Sequence, residues 1–107
     1  MFMYFPVSSL LIEYLILSVV SRQDSYGYEI SQTVKLAADI KESSLYPILR
    51  RLQQSGYLTT YNQEYQGRNR KYYSITDSGR DQLKTLADEW HVYKDTIDGI
   101  VEGRLKG

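Results

Sequence analysis

The chain has 107 residues, 13 basic and 13 acidic side chains, and a formal charge of zero. Its length fits one domain, and a composition 42% hydrophobic and 24% charged excludes disorder as the dominant state. With no cysteine and one histidine, it excludes disulfide frameworks, Cys-ligated zinc, iron–sulfur clusters, thiol catalysis and most histidine-based sites within one chain.

The neutral total hides a pattern. Residues 1–40 carry two basic and four acidic groups, residues 41–80 seven and three, and residues 81–107 four and six. A polyanionic partner therefore meets the middle of the chain. A core as small as this one also gains from association with a second copy.

The first predicted helix runs from Val7 to about Val20, an apolar stretch with Glu13 in its middle. A membrane span needs about 20 residues free of such a charge. A signal peptide needs a basic start, and no Lys or Arg precedes Arg22. The stretch reads as a buried helix in a cytoplasmic protein. Leu10, Leu11, Tyr14, Leu15, Leu17 and Val19 run nearly all round it, so it is expected to bury more than one side. Leu11 and Leu15 are then offered to a partner subunit.

A second helix is expected after Asp24 or Ser25, with Tyr26, Ile30 and Val34 on one face. Gly27 in its first turn lowers helix propensity, and the close approach of another backbone is the expected compensation. A third helix is expected from Ser43 or Ser44, with Pro47 favouring Ser44 as the cap. Leu45, Ile48, Leu49 and Leu52 form its core stripe. Ser43, Tyr46, Pro47, Arg50 and Gln54 lie opposite, with Arg51 on the flank, and Gly56 is the expected left-handed C-cap.

Two strand-like runs follow, Tyr57–Tyr61 and Lys71–Ile75, joined by a longish polar loop containing Gly67. Leu58, Tyr73 and Ile75 are expected to face the core, with Arg70 and Tyr72 turned the other way. Most of the 11 tyrosines are accounted for by half-buried strands and interfaces, which suit an apolar body with a polar tip. The last helix starts after Thr76 and runs to about Gly103. Leu83, Leu86, Trp90, Tyr93, Ile97 and Ile100 are spaced 3, 4, 3, 4 and 3 along it, a heptad seam that nothing else in the chain can cover. A two-fold partner is the expected cover.

The expected fold is mainly α with a small β-hairpin. Three helices and a hairpin are in the order of a winged helix-turn-helix, residues 1–76 with the wing at about 57–75. Residues 77–107 form a C-terminal dimerisation helix, and the whole is one compact unit. A recognition helix fills a major groove and a basic hairpin can straddle phosphates. The expected DNA-binding set is Ser43, Ser44, Tyr46, Arg50, Arg51 and Gln54 on the helix, with Arg68, Arg70 and Lys71 on the wing. No acid interrupts the wing from Tyr65 to Thr76.

The blocks Gly27-Tyr28-Glu29-Ile30, Ser44 to Leu52, Gly56-Tyr57-Leu58, Arg70 to Thr76 and Gly79 resemble the PadR family of bacterial transcriptional regulators over roughly residues 10–100. The short end with Trp90 resembles the small subfamily. The resemblance implies a homodimeric repressor on palindromic double-stranded operator DNA, often controlling its own gene and a neighbour. It implies Tyr46 and Arg50 near phosphates or bases, and Arg68, Arg70 and Lys71 in the wing. In some small relatives a Trp at the position of Trp90 lines a pore at the dimer interface and stacks on planar aromatic small molecules.

Two readings of Trp90 stand: a core residue of the seam, or one of a pair facing across the two-fold axis with a gap for a planar guest. Tyr46 either contacts DNA or packs over a first turn. His91, with Asp88 and Asp95 nearby on one stripe, reads as part of a solvated charged face rather than a metal site. No cofactor is implied, and an enzyme would need a nucleophile–base pair or a metal. The alternative to DNA binding is a winged helix that binds proteins.

Overall fold

The computed structural model describes residues 8–107. Val7, the expected start of the first helix, lies outside the described residues. The elements in order are α1 (Ser9–Arg22), β1 (Ser25–Tyr26), α2 (Gly27–Val34), α3 (Glu42–Gln54), β2 (Leu58–Tyr65), β3 (Arg68–Ile75) and α4 (Asp77–Val101). This is a winged helix-turn-helix followed by a long helix, and the mainly α class with a small sheet holds.

Ser8 caps α1, its hydroxyl accepting from the Leu11 N–H. Ile12, Ile16, Leu17 and Val20 bury one side of this helix. They meet Ile30 and Val34 of α2, the stripe Leu45, Ile48, Leu49 and Leu52 of α3, and Leu58 and Tyr73 of the sheet. The leucine and isoleucine side chains of α3 are each worth about 1.5–3 kcal/mol on burial, and they set the rotation of that helix.

Four expectations need correction. Ser25 and Tyr26 do not open α2; they form β1, a third strand paired with Tyr73 and Tyr72 at the edge of the sheet, in the order β1-β3-β2. Tyr26 therefore lies on the sheet rather than on the face of Ile30 and Val34. The third helix starts earlier than either serine. Lys41 is its N-cap without a side-chain bond, and the Lys41 carbonyl accepts from the amides of Ser44 (2.9 Å) and Leu45 (3.0 Å). Pro47 consequently lies inside the helix. It removes the N–H that would have met the Ser43 carbonyl, on an exposed face where water can take its place.

The wing has no long loop. Its strands pair in register from Leu58↔Ile75 to Tyr65↔Arg68, leaving a two-residue turn. Gln66 has φ 52° and Gly67 φ 79°, both positive, as the primed hairpin turn requires. Finally, α4 stops at Val101. Gly103 takes φ 76°, its chain folds back, and Leu105 seats on Gly99, where an added Cβ would lie 2.6 Å from Leu105 Cδ1.

Other expectations hold. Gly56 has φ 83°, and the amides of Gly56 and Tyr57 bond to the carbonyls of Gln53 and Leu52 at 3.0 Å each, a Schellman closure of α3. Thr76 caps α4, accepting from the Gly79 N–H at 3.0 Å, and its hydroxyl donates to the Gly56 carbonyl at 2.6 Å. The corner is tight: a Cβ on Gly79 would collide with the Tyr57 carbonyl oxygen and approach Ile75 Cγ1 to 2.7 Å. Gly79→Ala should therefore lower unfolding free energy by about 1–3 kcal/mol or more, read as a shift in urea midpoint. Gly107→Ala, with open space around it, should leave the midpoint in place.

Candidate nucleic-acid interface

The rotation that buries the α3 stripe turns the opposite side out. Ser43, Ser44, Tyr46, Pro47, Arg50 and Gln54 are all exposed. These are the expected helix residues with one difference. Arg51 turns back to α1, its Nη2 3.2 Å from Glu13 Oε1 and its Nε 3.4 Å away, while half its side chain stays exposed.

Tyr46 packs over α2. An added Cβ on Gly27 would lie 2.7 Å from Tyr46 Cε1 and 3.0 Å from its hydroxyl. The compensation for Gly27 is thus a side chain from the next helix, not the backbone expected. The ring remains 43% exposed, so Tyr46 both packs on α2 and presents an edge outward.

One hydrogen bond between α3 and the sheet escaped the sequence reading. Gln53 Nε2 donates to Thr60 Oγ1 at 3.4 Å. Burial pushes the Tyr73 hydroxyl above its ordinary value, and the charge of nearby Arg50 pulls it back part of the way.

On the wing, Arg68, Asn69 and Lys71 are exposed and Arg70 is half-buried. Strand alternation puts Lys71 on the same face as Tyr73, and its Nζ lies 5.4 Å from the centre of that ring. Arg70 points to the other face, with Tyr72, as expected. There its guanidinium carbon lies 4.0 Å from the Tyr26 ring centre and 4.1 Å from that of Tyr65. Neither ring was foreseen as its partner.

The heptad seam of α4 divides in two. Leu86 belongs to the core of its own chain and Leu83 packs against that core. Leu15 does likewise from α1. Farther along, Tyr93 is 62% exposed, Ile97 40% and Ile100 61%. Trp90 stands at the boundary, half-buried, its ring 6.3 Å from that of Tyr93. It lines an open groove of about 570 Å³ with Ser8, Leu10, Leu11, Tyr14, Leu86, Glu89 and Tyr93. The opposite side of α4 is charged, with Lys84 3.4 Å from Asp88 and Lys94 3.7 Å from Asp98. His91 and Asp95 on that side are exposed.

Among the described residues no helix is long and apolar enough to cross a membrane.

A winged helix-turn-helix with an uncovered polar face on its third helix is an architecture of transcription regulators. The chain matches the transcriptional regulator PadR-like family over residues 16–85. It is 37% identical over 94 residues to an uncharacterized protein of Lysinibacillus sphaericus, spanning 83% of this chain and 86% of that one. A crystal structure of a Streptococcus mutans protein is 68% identical, with a TM-score of 0.94 over 98% of this chain and 99% of the other. A PadR family transcription regulator from Clostridium difficile is 31% identical, with a TM-score of 0.78 over 84% and 97% of the two chains. The chain belongs to the PadR-like family of transcriptional regulators.

The Gly27–Tyr46 contact makes a prediction whose sign depends on background. With Tyr46 in place, an alanine at position 27 must displace the ring, and the gain in helix propensity is lost. In a Tyr46→Ala background Gly27→Ala should stabilise by about 0.5 kcal/mol, and in the wild-type background it should not. Denaturant melts of the four proteins in the cycle measure the coupling; equal effects in both backgrounds would refute the contact.

Proposed function

We propose that this protein is a transcriptional repressor that binds palindromic operator DNA as a homodimer and is released by a planar aromatic ligand near Trp90. The observation that carries the DNA reading is the division of α3. Its apolar stripe is sealed in the core while Ser43, Ser44, Tyr46, Arg50 and Gln54 stay uncovered. Arg50 forks to guanine or phosphate and Gln54 pairs with adenine. Arg51, braced by Glu13, flanks the groove. Arg68 and Lys71 supply wing charge to the phosphates.

The dimer reading rests on the outer half of α4. Tyr93, Ile97 and Ile100 form an apolar stripe that this chain leaves bare, and a second α4 in two-fold relation covers it. Together with Leu11 of α1, that pairing sets two recognition helices about 34–36 Å apart, one turn of duplex. The groove at Trp90 opens beside the same surface, so a guest there acts on the geometry of the pair. It shifts DNA affinity only by its differential preference for the two arrangements. Occupancy of a promoter in the cytoplasm suffices to block polymerase.

Arg50→Ala should cost about 1–3 kcal/mol in binding duplex from the promoter of its own gene, measured by titration against a scrambled duplex. An unchanged affinity removes Arg50 from the interface. Ile97→Glu combined with Ile100→Glu should convert a sedimenting dimer to a monomer; a wild-type monomer that stays single on its promoter sinks the proposal. Flat aromatic cations should quench the single Trp, and unchanged Trp90 emission at saturating dye ends the ligand reading.

A further inference from the structure

We infer that Arg70 is a positioning residue that clamps the wing to the body of the domain, rather than one of the charges that meets phosphate. The inference rests on the DNA-binding reading above for its consequence, though not for its geometry.

The first argument is which face Arg70 occupies. The pairs Leu58↔Ile75, Thr60↔Tyr73 and Asn62↔Lys71 share one face of the hairpin, because residues opposite one another in a ladder point the same way. That face meets α3, where Gln53 reaches Thr60. The pairs Tyr61↔Tyr72, Gln63↔Arg70 and, at the tip, Tyr65↔Arg68 occupy the other face. Arg70 thus lies on the far side of the sheet from the recognition helix, and Lys71 on the near side.

The second argument is what Arg70 touches. Its guanidinium lies between Tyr26, 4.0 Å from the ring centre, and Tyr65, 4.1 Å away. Tyr26 belongs to β1 at the base of the wing, and Tyr65 is the last residue of β2 at its tip. Tyr72 extends the layer, edge-on to Tyr26 and stacked on Tyr61, each at 5.6 Å. The Tyr61 hydroxyl donates to Asp24 at 2.7 Å, beside β1. One continuous set of contacts therefore runs from the connection between α1 and α2 to the tip of the hairpin.

The third argument is need. A two-stranded hairpin alone is marginally stable in water. The third strand supports the wing only at Tyr72 and Tyr73, so the pairs from Asn62↔Lys71 to Tyr65↔Arg68 project without a neighbour. A planar cation that stacks on two rings at once, each cation–π contact strongest where water is excluded, takes the place of the missing strand.

The test compares wild type, Lys71→Ala, Arg70→Ala and Arg70→Lys in the full chain. Binding to a mixed-sequence duplex is measured over a salt series, and amide hydrogen exchange is measured on the free protein. Lys71→Ala should reduce the slope of log K against log salt by about 0.9 and leave exchange at the wing tip unchanged. Arg70→Ala should weaken binding about tenfold with the slope nearly intact, and should speed exchange in residues 63–70 by about tenfold. Arg70→Lys should behave like the alanine variant, because an ammonium faces one ring and cannot span both. The inference is overturned if Arg70→Ala lowers the slope as Lys71→Ala does and Arg70→Lys restores it. It is equally overturned if exchange at the tip is unchanged. Should wild-type protein show no salt-dependent duplex binding, the DNA reading falls by itself, and the exchange data alone support or overturn the clamp.

Discussion

Leu45, Ile48, Leu49 and Leu52 are sealed between α1, α2 and the base of the sheet, and at 3.6 residues per turn that burial leaves no freedom in the rotation of α3. Whatever lies on the remaining arc must face out. The outward arc holds Ser43, Tyr46, Pro47, Arg50 and Gln54, and apart from Pro47 none of them could enter the core without desolvating a polar group. Polar display on this helix is thus a by-product of apolar burial, and the two cannot vary separately. Glu13 strengthens the constraint by drawing Arg51 to α1 across 38 residues of sequence separation, so the edge of the arc is fixed as well as its centre.

The same economy appears where three elements meet. The Schellman closure of α3 places the Gly56 carbonyl where the hydroxyls of Thr76 (2.6 Å) and Ser78 (2.9 Å) can both donate to it. The Thr76 amide bonds to the Tyr57 carbonyl at 3.1 Å, and Gly79 lets α4 approach that carbonyl closely. The end of α3, the root of the wing and the start of α4 therefore share one node of hydrogen bonds. These bonds tie the direction of α4 at its start to the end of α3 and the root of the wing. That mechanical linkage is the physical requirement for any control exerted through the far end of α4.

Features of the sequence that repeat were legible, and features that occur once were not. The leucine stripe and the alternation that separates Tyr73 from Tyr72 are periodic, so the faces they define could be read directly; the period of α4 was as visible, but not that Leu83 and Leu86 would pack on their own chain. Gly56 and Thr76 are punctuation with strong local chemistry and were equally clear. β1 has two residues and no period to detect; it exists because the edge of β3 has free backbone groups to pair. The start of α3 at Lys41 carries no side-chain signal, so the serines nearby were the better local candidates. Gln66 at a positive φ is an uncommon residue for its position, and the polar tip consequently looked like a loop instead of a turn. Gly27 announced a close approach, though not that a tyrosine ring would supply it. Arg51 and Arg70 looked like any other cations on outward positions, since a guanidinium that finds a carboxylate or two aromatic rings is indistinguishable in sequence from one in water.

A chain with zero formal charge exerts little long-range pull on a polyanion, and this shifts the work of recognition to short distances. At physiological salt the screening length is about 8 Å, close to the reach of a side chain. Within that range the distribution of charge matters more than its sum. The exposed cations Arg50, Arg68 and Lys71 belong to α3 and the wing, whereas Asp88, Asp95 and Asp98 line the outer side of α4. On the proposed DNA reading, a duplex would find attraction on one surface and repulsion on another, which orients the encounter without accelerating it greatly. Binding of this kind depends on every local cation being correctly aimed, because no surplus charge compensates for one that is not. The rigidity of the wing, and the residues that enforce it, then count for as much as the charges it carries.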